Sequence, residues 1–351
     1  MGNKGNNLKK PGVKTLSIHH GETFSEETGC VMPPIFSTST FKHGNKQNFD
    51  YTRSGNPNFK ILENILRSIE DSKYCTVFGS GISAVTAITS TLKSGDKILC
   101  ESNLYGCTVR MFDKVFKKFG IEALYTDFTD KKSIKKIKDF QPTLIWLESP
   151  TNPLLKILDI KLICDEANKH KIPVVLDNTF STALIQKPLE LGATLSLIST
   201  TKFINGHSDA LGGAVLTNNE EWNSKMLFSQ KALGLQPSPF DSWLITRGVK
   251  TLPLRIEQQT KSAEIISKEF ENHRNIFKVL YPFNQKHPQF NLAKSQMKSG
   301  GSMITLKLNL NKADTFKFCK SLKYFSLAES LGGVESLICH PATMTLSLIH
   351  I

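Results

Sequence analysis

No stretch of the 351 residues approaches the apolar length needed to span a bilayer. The amino terminus, Met1 to Lys10, is polar and basic and lacks the apolar segment of a secretory signal, and Asn6 interrupts the pattern that would mark Gly2 for myristoylation. A membrane protein is not expected, and cytoplasmic residence is. The cysteines, Cys30, Cys75, Cys100, Cys107, Cys164, Cys319 and Cys339, are odd in number and include no Cys-x-x-Cys pair. That spacing argues against both a disulfide framework and a zinc knuckle, so reduced, mostly buried thiols and no metal are expected. There is also no internal repeat and no low-complexity linker.

What is present is the composition of an ordinary soluble globular chain, 39% hydrophobic and 21% charged, long enough for about two domains. The formal charge of +13 raises the question of a nucleic-acid partner. Its distribution answers against one. The densest basic run, Lys131 to Lys138, interleaves Ile134 and Ile137 at helical spacing and continues to Phe140, as the solvated side of an amphipathic helix does. Attraction of anionic small molecules stays open.

Residues 1–55 carry Pro11, the Pro33-Pro34 pair and many Gly, Ser and Thr without sustained periodicity, and are expected to form an extended arm. From Pro57 the pattern alternates. Phe59, Leu62, Leu66 and Ile69 share one helical face, as do Val85, Ile88 and Leu92, while 97–101, 143–148, 173–177 and 194–199 suit strands and Ile160, Ile163 and Ala167 mark a helix. This predicts an α/β layer with a mostly parallel sheet over 56–245. A helical stretch from Leu252 to Phe270 and an alternating strand over 303–309 predict a smaller α+β domain over 246–351. Ligands of such sheets gather at the carboxyl ends of the strands.

Lys202 stands at one of those ends, in Ser199-Thr200-Thr201-Lys202-Phe203-Ile204-Asn205-Gly206-His207. Hydroxyls can hold a phosphate while the amine condenses with an aldehyde. Asp177, closing the run Val174-Val175-Leu176, suits the carboxylate that keeps a pyridinium nitrogen protonated; it equally suits a helix cap. Gly79-Ser80-Gly81-Ile82 follows a short β-like run and opens a helix, so it offers backbone amides to an anion, or is an ordinary tight turn.

Together these segments resemble the Cys/Met-metabolism family of enzymes that use pyridoxal 5'-phosphate (PLP), over about Thr15 to Thr345 and with cystathionine γ-synthase and γ-lyase as the nearest likenesses. The motifs are Tyr51-Thr52-Arg53-Ser54-Gly55-Asn56-Pro57, Leu104-Tyr105-Gly106, Glu148-Ser149-Pro150-Thr151-Asn152-Pro153, the Lys202 segment and Ser330-Leu331-Gly332-Gly333. The resemblance implies the aspartate-aminotransferase type I fold and a homotetramer of two active-site dimers. It implies Lys202 as the Schiff-base lysine and proton shuttle, Asp177 against the ring nitrogen, Asn152 on the ring's phenolic oxygen and Tyr105 stacked on the ring. It further implies Gly81, Ile82, Ser199 and Thr201 on the phosphate, with Tyr51 and Arg53 reaching it from the neighbouring subunit.

Amino acids are the implied substrates. Asp50, Arg110 and Glu329, together with Ser330, occupy places the family uses for substrate. A buried charge without a charged ligand end would be costly, so these charges favour a dipolar substrate such as cystathionine or cysteine; each alone is more often a solvated surface charge, since such residues are so rarely buried. Cys107, in Tyr105-Gly106-Cys107-Thr108, resembles methionine γ-lyase instead. The expectation is γ-replacement on an O-acylhomoserine by cysteine, giving cystathionine, ahead of cystathionine γ-lyase and then methionine γ-lyase. A transaminase or decarboxylase is opposed by the Tyr51 and Ser330 motifs. After His340-Pro341-Ala342-Thr343-Met344-Thr345 the chain ends Leu346-Ser347-Leu348-Ile349-His350-Ile351, where the family continues through a strand with a carboxylate-binding arginine. The small domain therefore reads as truncated, and the rival expectation is a cofactor-binding fragment impaired in catalysis.

Overall fold

A computed structural model describes residues 11–20 and 29–344. Met1 to Lys10 and the tail from Thr345 to Ile351, with the departure noted there, lie outside the described residues. Among the described residues the main sheet has seven strands: β1 Tyr74–Phe78, β2 Lys97–Glu101, β3 Glu122–Thr126, β4 Leu144–Glu148, β5 Val174–Asp177, β6 Leu195–Ile198 and β7 Gly213–Thr217, in the order β1-β7-β6-β5-β4-β2-β3. Pairing is parallel from β6 through β3, and β7 runs antiparallel to both β6 and β1. Six carboxyl ends thus lie along one edge, together with the start of β7.

The central strands are mostly apolar, with both faces covered. Every residue of β4, of β6 and of β7 is buried, as expected where helices pack on both sides of a parallel sheet. One covering helix, α2 (Pro57–Glu70), follows a shorter α1 (Val13–His19). Asn56 caps α2 by accepting from the Asn58 amide at 2.9 Å, Pro57 takes the first turn, and Asp71 ends it in a left-handed conformation at φ 61°. The face it buries holds Phe59, Leu62, Ile65, Leu66 and Ile69, each worth about 1.5–3 kcal/mol of transfer from water.

The strand and helix expectations for 97–101, 143–148, 173–177, 194–199 and the helix around Ile160 agree with the observed elements to within a residue or two. The basic run is a 3₁₀ turn, Lys131–Ile134, leading into the helix Lys135–Phe140 with Ile137 buried. The extended arm needs one correction: α1 interrupts it. Seven residues cannot hold a helix by propensity alone. Packing does so here, with Ser17 buried, Val13 against the core and Lys14 Nζ 2.9 Å from Glu257. From 29 to 56 the chain is otherwise without helix, with one bridge between Thr40 and Tyr51. Beyond the sheet lie the helix Leu252–Phe270 and two small two-stranded sheets, one of which pairs β8 (Ile276–Leu280) with β9 (Thr305–Leu308).

Candidate active site

The register of β4, β5 and β6 sets Glu148 opposite Asp177 and Asp177 opposite Leu197, so the two carboxylates and the chain leading to Lys202 leave the sheet side by side. Partly buried Asp177 accepts from the Thr179 amide at 3.0 Å and from the Thr179 hydroxyl. That hydroxyl oxygen also accepts from the Ser199 amide at 2.9 Å. Burial raises the Asp177 carboxyl above its ordinary range, and the two Thr179 bonds pull it back.

Lys202 Nζ donates to Ser330 Oγ at 3.1 Å, although the two are 128 positions apart. Burial holds the ammonium below the usual lysine range, opposed by Cys339 and Glu329 nearby. A less protonated amine is the state that acts as nucleophile or base.

The short α3 (Gly81–Thr89) starts beside this turn. Ser80 caps it by accepting from the Ser83 amide at 3.0 Å, leaving the first amides without partners inside the helix. A Cβ at position 81 would come within 2.9 Å of Ser199 Cβ, so only glycine lets the helix start approach Ser199 so closely. Thr201 Oγ1 donates to Gly212 O at 3.2 Å and accepts from Gly212 N at 3.0 Å, which ties the Lys202 turn to the entry of β7.

Tyr105 precedes α4 (Gly106–Arg110) and is 41% exposed. Burial of its phenol, then Cys107 and Glu329, push its acidity down, while Arg110 opposes them. Arg110 Nη1 is 3.8 Å from Cys107 Sγ. Tyr105, Cys107, Arg110, Glu329, Lys202 and Ser330 are therefore linked as one cluster of neighbours. Asp50, Tyr51 and Arg53 are not part of it. All three are exposed; the Asp50 carboxylate accepts from the Tyr51 amide at 2.7 Å, and Arg53 donates to Lys231 O at 2.9 Å while lying 5.6 Å from the Tyr51 ring.

Glu148, which opens the motif running to Pro153, is a further residue of the site. It is 5% exposed and accepts from the amides of Tyr105, at 2.8 Å, and Asn152. Burial and the neighbouring Asp177 push its carboxyl upward, the two amide bonds oppose them, and through those bonds it hangs two site segments from β4. Its place at the end of an apolar strand, like that of Asp177, is legible in the sequence, but its two main-chain partners are not.

Residues 14–350 match the family model described as Cys/Met metabolism PLP-dependent enzyme. The chain is 40% identical to a cystathionine gamma-lyase of Dictyostelium discoideum over 97% of its length and 88% of that protein's. It is 39% identical to a cystathionine beta-lyase of Coxiella burnetii, over 97% of this chain and 89% of the other. The solved structure of cystathionine gamma synthase from Xanthomonas oryzae pv. oryzae, in complex with aminoacrylate and cysteine, superposes with a TM-score of 0.93 at 37% identity, covering 97% of this chain and 89% of that one. The expectation of an aspartate-aminotransferase-type fold is met by such neighbours. The chain belongs to the Cys/Met-metabolism PLP-dependent enzymes, a family of trans-sulfuration catalysts whose cofactor is pyridoxal 5'-phosphate.

Proposed function

We propose that this enzyme carries out γ-replacement on an O-acylhomoserine, joining cysteine to it as cystathionine. The observation that carries the choice is the pair of opposite charges, Arg110 and Glu329, set around Tyr105 and Lys202. Half-buried Arg110 and exposed Glu329 offer a charge of each sign to a substrate whose far end is itself dipolar, a match that the apolar end of methionine does not make.

The residues present fit the cofactor. The approach of Gly81 to Ser199 leaves a cradle that a Cβ would fill, with free helix-start amides directed to a phosphate. In this reading Gly81, Ile82, Ser199 and Thr201 hold the phosphate, Asp177 faces the ring nitrogen, Asn152 the phenolic oxygen and Tyr105 the ring face. When bound, the cofactor supplies a cationic heterocycle that withdraws charge from a substrate's Cα. Lys202 would hold it through Nζ, and its free amine would take the Cα proton of the substrate. Its lowered proton affinity favours the unprotonated amine that acts as a base. Ser330 holds the amine in reach, and Arg110, Glu329 and Cys107 contact the distal end of the substrate.

The same reading divides the chain into an arm over 1–55, a cofactor-binding unit over 56–245 and a smaller unit over 246–351. It also assembles the protein as a homotetramer in which Tyr51, Arg53 and Asp50 serve a neighbouring subunit's site, supported by their exposure and their separation from Lys202 in one chain. A second reading, cleavage of cystathionine, is favoured by relatives named gamma-lyase and beta-lyase. Assay with O-succinylhomoserine, O-acetylhomoserine, cystathionine and methionine separates them. Cystathionine formation from an ester and cysteine is expected; turnover of cystathionine without ester use supports the second reading, and robust activity on methionine alone overturns both.

A further inference from the structure

The helix Leu252–Phe270 holds both segments that meet at Lys202 and Ser330. Arg255 is 9% exposed, and its bonded partners are neutral oxygens. Nη1 donates to Phe203 O at 2.7 Å, Nη2 to Ile204 O at 3.1 Å and to Gly248 O at 2.9 Å, and Nε to Thr251 Oγ1 at 3.1 Å. A buried guanidinium satisfied by carbonyls is an expensive way to fill space, since apolar residues of similar volume do so at less cost. What it does here is fix the two peptide units that follow Lys202.

The surroundings are shaped for that grip. Gly206 adopts φ +69°, and a Cβ there would fall 2.0 Å from Arg255 Nη1; a Cβ at Gly248 would fall 2.2 Å from Asn205 O. Four residues further along, on the same helical face, Gln259 Nε2 donates to Gly333 O at 2.8 Å. A Cβ at Gly332 would lie 2.6 Å from the Phe203 amide nitrogen, and Val334 N donates to Gly206 O at 3.1 Å. One helix face thus grips the Lys202 turn through Arg255 and the Ser330 loop through Gln259.

We propose that Arg255 and Gln259 are positioning residues that set the Lys202 turn against the Ser330 loop and so fix where the amine stands. The inference rests on the reading of Lys202 as the cofactor-bearing amine. In the held position the amine is withdrawn from water, and Glu329 and Cys339 are the titratable groups that face it. A loosened turn would let the amine reach solvent and regain the proton affinity of an ordinary lysine, about 10.4.

The test follows the rate at which cofactor-free protein captures added pyridoxal phosphate, read across pH by the colour near about 420 nm, with K202A as the blank. The pH midpoint reports the protonation of Lys202, and thermal melting is recorded alongside. In R255K, R255M and Q259M the midpoint is expected to rise by about one pH unit, a tenfold gain in proton affinity. Variants that melt lower but keep the wild-type midpoint would show a structural role only and overturn the inference. If R255M does not fold, R255K and Q259M decide by the same criterion. A wild-type protein no more reactive than K202A would instead remove the reading of Lys202, and this inference with it.

Discussion

Lys202 Nζ and Ser330 Oγ stand 3.1 Å apart, joining the turn after β6 to a loop 128 residues later. The hydroxyl is the hydrogen-bond partner of an amine that burial has made a weaker base. Ser330→Ala should leave folding and cofactor content intact while lowering turnover about tenfold, the equivalent of one hydrogen bond to a group that becomes charged. Steady-state kinetics check this, and unchanged turnover would show that the contact has no part in the reaction.

Glu148 is expected to act as a neutral acceptor. Glu148→Gln keeps an oxygen for the Tyr105 and Asn152 amides and should cost little, whereas Glu148→Ala strands both and should destabilise the fold by about 1–3 kcal/mol. Urea unfolding of the two variants distinguishes these outcomes. Equal loss in both would mean that its negative charge, and not its acceptor, is what the site uses.

Gly81→Ala places a methyl within 2.9 Å of Ser199 Cβ. Titration of the cofactor-free variant should show pyridoxal phosphate bound at least about tenfold more weakly, while pyridoxal, which lacks the phosphate, is affected far less. Equal weakening of the two ligands would place the phosphate elsewhere.

Two acids on α2 make stability depend on pH. Burial raises Glu63 from 4.5 to about 7 and Glu70 from 4.5 to about 8. In the unfolded chain both ionise above about pH 4.5, while the folded chain keeps their protons longer, so stability is greatest below that point and falls as pH rises towards 8. For Glu70 the loss across the window is on the order of 4 kcal/mol. Glu70→Gln, neutral throughout, should flatten the fall between pH 5 and 8 in thermal melts. A wild-type protein equally stable across that range would contradict the assignment.

The sequence disclosed what is local. Lys202, its hydroxyls and the Gly79 to Ile82 turn are contiguous, and Asp177 ends an apolar strand, so strand-end chemistry could be read directly. Strands β3 and β7 were not anticipated: the alternation in Glu122–Thr126 and the small residues of Gly213–Thr217 give a weak signal until neighbours pair with them. Glu148 and Arg255 escaped for a different reason. Both act on main-chain groups, Arg255 on carbonyls some fifty positions away (separations of 52 and 51), and main-chain groups carry no side-chain signature to match. The role implied for Tyr51 and Arg53 in a neighbouring subunit is a matter that solution mass measurement addresses.

Chemistry at Lys202 is the centre of the account. The direct measurement is peptide mass mapping after the protein is saturated with pyridoxal phosphate and reduced with borohydride. A reduced cofactor adduct on the peptide bearing Lys202, absent from Lys202→Ala, is the expected result. An adduct on another lysine, or none while the protein still turns over substrate, would contradict it.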